Sequence, residues 1–260
     1  MLQENPSLPF RGKDTTMKHI LLTVLAFFTL AGCGEQKDPN TLVMGTNAEF
    51  PPFEMRGGPD GEGIVGFDPD VARLIAVHAG KKLQIEDMKF DSLIPALNTG
   101  KIDMILAGMT VTEDRRRNVD FSDPYYKVTQ IVLVQAKDAA GIRSLDDLKN
   151  KKIAVAIGTT GDTAASQYTP NVIRFNTAFE AVMELKNGKV DLILTDEALG
   201  SVLHAKNPEL ARVDLPFEDE YYAVAVRKGN TELLERINES LKKIRNSGEM
   251  DILLEKHFTD

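Results

Sequence analysis

The sequence holds one cysteine, no tryptophan and four histidines among its 260 residues. A lone Cys33 excludes an intramolecular disulfide. His19, His78, His204 and His257 lie at no spacing from Ser, Cys or carboxylate that matches a nucleophilic triad, and no run of His and Cys has the spacing of a metal site. The sequence therefore gives no reason to expect a metal, a cofactor or catalysis. Positive charge is also short: 31 Lys and Arg stand against 39 Asp and Glu, a net charge of −8. Nucleic acid and anionic lipid both call for a basic face, so neither is an expected partner. Long apolar runs are missing as well. The uncharged stretch 20–31 has twelve residues, fewer than the roughly 20 that a membrane-spanning helix needs.

That stretch follows Lys18 and His19 and fits the apolar core of a secretory signal peptide, with Met17 as the expected start and 1–16 as an upstream extension. It ends in Leu30-Ala31-Gly32-Cys33, which resembles the bacterial lipobox, where the cysteine receives diacylglycerol. The expectation is a cleaved segment 1–32, a lipidated Cys33 and a flexible tether over 33–40. The protein would then lie outside the cytoplasm and meet the membrane through its lipid anchor only.

From residue 42 onward short apolar runs alternate with amphipathic stretches, the order of a mainly parallel α/β protein. Strands are expected at 42–45, 83–88, 102–107, 131–134, 153–156, 190–194 and 222–226. Helices are expected at 68–79, 91–98, 144–148, 177–186 and 231–245. The segment 97–103, Leu-Asn-Thr-Gly-Lys-Ile-Asp, is echoed by 185–191, Leu-Lys-Asn-Gly-Lys-Val-Asp. Each copy ends a helix at Gly and begins a strand, and ligands of open α/β sheets sit at strand carboxyl ends. The echo thus points to two facing lobes with polar groups on both walls of a cleft. Chance similarity of two ordinary helix-to-strand turns is the competing explanation.

Four local patterns carry candidate chemistry. In 110–115, Thr112 is placed to cap a helix with Arg115 in its first turn, where a cation is locally unfavourable unless an anion is held there. A plain surface Arg in the run 115–117 is the alternative. The turn 157–162, with Thr159 and Thr160, follows an apolar strand, starts a helix and offers N–H and hydroxyl donors to a carboxylate; the Lys of a phosphate-binding loop is absent, and an ordinary capped turn is the alternative. Asp196, just past the run 190–194, could pair with an ammonium group or cap the next helix. The segment 50–54 presents Phe50, two prolines, Phe53 and Glu54 to a binding site or to the core.

In their order along the chain, the segments 45–54, 66–70, 90–97, 108–116, 121–126 and 158–161, with Asp196, resemble the polar amino-acid family of bacterial solute-binding proteins that serve ABC transporters. The resemblance spans nearly all of 41–260 and is nearest to the arginine-binding branch. It implies an α/β, two-lobe periplasmic-binding-protein (type II) fold with two hinge segments, near 127–130 and 218–221. Lobe 1 would comprise 41–127 and 222–260, and lobe 2 131–215. It further implies that a ligand α-carboxylate meets Arg115 with help from Thr110 and Thr160, and that the α-ammonium meets Asp196 and a carbonyl near Gly108. Phe50 and Phe90 would flank the side chain. Asn47, Glu54, Ala107, Met109, Thr159 and Gln130 complete the expected ligand-binding set. Many relatives carry Asp in place of Asn47 and a Ser pair in place of Ala107 and Gly108, which leaves the side-chain preference open between arginine and glutamine or another polar amino acid. A cyclohexadienyl dehydratase-like enzyme on the same fold is the rival from another class. The expected partners are a free amino acid, arginine first, and the membrane subunits of an ABC transporter.

Overall fold

The computed structural model describes residues 38–58 and 60–258. The signal-peptide and lipidation expectations, Cys33 included, lie outside the described residues. No helix among the described residues is long and apolar enough to cross a membrane.

Two five-stranded sheets organise the chain. The first places its strands in the order Lys82–Asp87, Thr41–Thr46, Met104–Ile105, Ala225–Arg227 and Val119–Phe121. The second runs Val172–Phe175, Ile153–Ala156, Leu192–Asp196, Gln130–Gln135 and Leu210–Val213. In each, the first two pairings are parallel and the last two antiparallel. Central strands are buried on both faces. Thr41–Thr46 is covered from Leu42 on, and Leu192–Asp196 throughout, as expected where helices pack on each side of a sheet. Apolar clusters flank both faces, one pair of clusters to each sheet.

The sequence echo marks equivalent places in the two sheets. Gly100 and Gly188 follow the helices Leu93–Asn98 and Ala178–Lys186 with φ of 79° and 68°, the left-handed position that ends a helix and suits glycine. Two apolar anchors then enter the core, Ile102 and Val190. The aspartates that close the echo do one job twice. Asp103 accepts from the Val43 N–H at 2.8 Å, and Asp191 from the Lys152 N–H at 2.7 Å, each tying the new strand to the parallel strand beside it.

Two antiparallel crossover strands join the sheets, Tyr126–Val128 and Glu220–Tyr222, with Lys127 and Asp219 paired at 2.7 Å beside them. Several elements depart from expectation. The run 102–107 contributes only Met104–Ile105 to the ladder, because the chain swings toward the cleft at Gly108, φ 53°. The run 222–226 splits into Glu220–Tyr222 and Ala225–Arg227. The run 144–148 is a 3-10 helix, Leu145–Leu148. The strand Val172–Phe175 was not legible, being an edge without a buried face; the helix Thr160–Tyr168 starts in the turn 157–162 as expected, but its body, rich in Thr, Gly and Ser, gave no sign of its length.

Candidate functional site

A cavity opens where the carboxyl ends of the two sheets face each other. Asn47, Phe50, Glu54, Phe90, Ala107, Gly108, Thr110, Arg115, Thr159, Thr160 and Asp196 line it. Two expected members stand elsewhere. Met109 packs into the core, 1% exposed, between Gly108 and Thr110, which line the cavity; the left-handed turn at Gly108, φ 53°, redirects the chain there. Gln130 lies just behind the wall.

Arg115 sits on the short helix Glu113–Arg116, whose start is capped as expected: the Thr112 hydroxyl oxygen accepts from the Arg115 N–H at 3.1 Å. Its guanidinium donates to the Thr110 carbonyl at 2.8 Å and across the cleft to the Gly158 carbonyl at 3.1 Å. The Phe90 ring lies under it at 5.2 Å, within cation–π range. Burial draws the guanidinium pKa down while the charges of Glu220 and Asp196 oppose the shift. The run 115–117 is thus not uniform: Arg116 and Arg117 are exposed and pair with Glu113 and Asp114, and only Arg115 turns inward.

On the opposite wall Asp196 ends a strand and precedes the helix Glu197–Lys206, yet its side chain makes no capping bond. It is 7% exposed, and Oδ1 accepts from Gln130 Nε2 at 3.2 Å. Burial raises its pKa to about 7; Tyr222 and Arg115 counter this, and Glu220 adds to it. A cation entering the cavity would reverse the shift. Beside it the helix Thr160–Tyr168 begins, its cap Thr159 accepting from the Asp162 N–H at 3.2 Å. The first-turn N–H groups have no intrahelical acceptor and are aimed at the cavity end of the helix.

Glu220 is a residue the sequence reading missed. From its crossover strand, Oε2 accepts from the hydroxyls of Thr110 at 3.0 Å and Thr160 at 2.7 Å, so one carboxylate touches both lobes. Each threonine has one O–H, and Glu220 takes it. What Thr110 and Thr160 can still offer an anion is backbone N–H. The pairing of 109–111 with 221–223 brings these groups together, a long-range register that no local pattern reveals.

Phe50 packs against the cores of both lobes and stacks on Phe53 at 5.5 Å, while Phe53 itself is fully buried. The motif 50–54 therefore serves both readings at once. Gly108 is what admits the Phe50 ring: a Cβ there would lie 2.7 Å from the ring edge. Glu49, Asn176 and Thr177 complete the rim, and Lys89 reaches Asn176 across it at 3.2 Å. An internal guanidinium and an internal carboxylate on opposite walls equip the cavity to hold a small solute bearing both charges.

The model of the bacterial extracellular solute-binding proteins, family 3, matches residues 42–260. A probable histidine-binding protein of Neisseria gonorrhoeae is 39% identical over 222 residues, 82% of this chain and 81% of the relative. The arginine-binding extracellular protein ArtP of Bacillus subtilis is 33% identical over 256 residues, 93% of this chain and 98% of the relative. The crystal structure of a mutant of ArgBP from T. maritima superposes with a TM-score of 0.80 at 43% identity, covering 85% of this chain and 96% of that one. A match over more than four-fifths of the chain, on a frame of two sheets joined by two crossovers, identifies it: the chain belongs to the bacterial extracellular solute-binding proteins, family 3.

Proposed function

We propose that the protein captures a free amino acid, arginine in preference to others, between its lobes and delivers it to the membrane subunits of an ABC importer. The observation that carries this reading is the placement of Arg115 and Asp196 on opposite walls of one cavity. A zwitterion satisfies both: its carboxylate takes the Arg115 guanidinium and the N–H groups that start the helix Thr160–Tyr168, and its ammonium takes Asp196. Because the two poles belong to different lobes, such a ligand gains most in the closed arrangement, which is the differential affinity that closure requires.

Arginine is favoured for the side chain because Phe50 presents a ring to the cavity and Glu54 lines it with a carboxylate that accepts from no N–H or hydroxyl. A planar guanidinium can stack on the one and pair with the other. Similar proteins named for arginine and for histidine agree with a basic side chain, while the glutamine-binding protein GlnH of Bacillus subtilis, 33% identical over 260 residues, keeps glutamine as the second reading. A calorimetric screen of the twenty amino acids and prephenate tests the reading. Arginine should bind tightest and prephenate not at all; tighter binding of glutamine would move the specificity, and prephenate turnover would replace capture by catalysis. We further propose that lipidation of Cys33 holds the protein outside the cytoplasm. Cys33→Ala should then leave the membrane fraction or stay unprocessed, and a variant that is cleaved yet membrane-bound would refute the anchor.

A further inference from the structure

The cavity ends on an acid with nothing to neutralise it. Glu54 is fully buried, and neither of its carboxylate oxygens accepts from an N–H or from a hydroxyl. Beside it lies Asp68, equally buried, in the first turn of the helix Phe67–His78, its N–H donating at 3.0 Å to the carbonyl of Phe53 and its carboxyl facing that of Glu54. Asp68 Oδ2 accepts from the Gly108 N–H and from the Tyr125 hydroxyl, both at 2.8 Å, and Oδ1 has no partner. The other charges around the pair do not neutralise it. Asp87, on the strand Lys82–Asp87, adds negative charge and is itself held by Arg56, whose side chain is exposed. Arg73, Lys256 and His257 converge on Asp70 instead. Among the described residues, no ion pair reaches Glu54, Asp68 or Asp196.

We propose that Glu54 and Asp68 share a proton while the cavity is empty and release it to solvent when a cationic ligand side chain enters, so that the pair sets the charge selectivity of the cavity as a function of pH. This rests on the proposed seating of an amino acid with its side chain toward Glu54. Two adjoining carboxylates in a dry site cannot both ionise unless a cation joins them. Burial and the neighbouring Asp68 hold Glu54 well above the usual carboxylate range, and burial raises Asp68 to about 7. A guanidinium keeps its own protons, so the O–H bond that breaks is the pair's and its proton leaves to water. A neutral side chain of the same shape leaves that O–H in place as a donor. Asp68 touches the Gly108 turn rather than the cavity and acts through Glu54, as a positioning residue.

Arginine and citrulline separate this from everything else in the site. They share backbone charges and shape, so proton release at Asp196 is common to both; only the guanidinium differs from the urea. Titration calorimetry of the protein near pH 6.5, in buffers of differing ionisation enthalpy, should show arginine releasing about one proton more than citrulline. Arginine's affinity should correspondingly gain up to about tenfold per pH unit relative to citrulline's below the pair's pKa. Glutamine serves as a second neutral ligand. Glu54→Gln should abolish the excess, and Asp68→Asn, which retains an acceptor for Gly108, should shrink it. Equal proton release by arginine and citrulline in the unmodified protein would overturn the proposal while leaving amino-acid capture intact, as would an excess unchanged in both variants. Folded protein that gives no heat with any amino acid would overturn the capture reading and this inference with it.

Discussion

The sheet through Thr41–Thr46 and the sheet through Ile153–Ala156 share one strand order and one pattern of parallel and antiparallel pairs, with Asp103 and Asp191 in equivalent posts. What they present to the cleft is opposite in kind. The first contributes a guanidinium, two aromatic rings and the buried carboxyl of Glu54, with Asp68 behind it; the second contributes a helix start and the carboxylate of Asp196. The frame is set by residues inside the strands and helices, and the chemistry by the few residues directly after them. That division explains how duplicate architecture yields a cavity with two unlike walls.

The comparison breaks most visibly at the two charges. Arg115→Ala and Asp196→Asn should each lower amino-acid affinity at least tens-fold, since losing one partner of a desolvated charge pair costs roughly 2–5 kcal/mol and 1.4 kcal/mol is about a factor of ten. Calorimetry on folded variants checks this. Affinity retained in either one would mean that a single lobe binds the ligand and the other only covers it.

Gly108→Ala probes the wall of the first lobe alone. The new Cβ meets the Phe50 ring and takes a φ of 53°, which costs a residue with a side chain about 1–2 kcal/mol. Affinity should fall up to about tenfold as Phe50 shifts, with a modest drop in Tm. A relative-like Ser at 108 should do the same, and Phe50→Leu should largely relieve it.

A smaller effect treats the lobes alike. Asp68 in the first and Asp196 in the second are both raised to about 7, against about 3.9 unfolded. Between these values the unfolded chain has released protons that the folded chain still holds, so stability falls as pH rises from about 4 to about 7, and Glu54, held well above the usual carboxylate range, adds to the fall. Thermal melts without ligand should show this decline, and Asp68→Asn and Asp196→Asn should each flatten part of it. A profile that rises through that window would mean that neither acid keeps its proton in the folded protein.

Much of the frame was readable from local pattern. The strand 153–156 and the helix beginning at 231 matched because each carries its own signal: an apolar run bounded by Lys residues and Gly, and an apolar stripe at helical spacing after Asn230. Arg115 was legible as a cation at a helix start, an unfavourable post that asks for an anion. Glu220 was not, because it is one acid among Glu218, Asp219 and Glu220 in a charged stretch. Only the pairing of its strand with 126–128 and the bridge from Tyr222 to Thr110 select it. Met109 lies in the core for a related reason: the left-handed turn at Gly108 sets which side of the chain faces the cavity, and no local pattern reveals it.

By itself the sequence determined the repeating helix-turn-strand units, the caps and the identity of the charged groups after the strands, because these depend on propensity, periodicity and residues a few positions apart. The tertiary structure decided which of those groups meet: Arg115 and Asp196 in one cavity, Glu54 against Asp68, and Glu220 on the hydroxyls of both threonines. Those pairings join residues from 14 to 110 positions apart. Their electrostatics arise from burial, and burial exists only once both sheets are assembled.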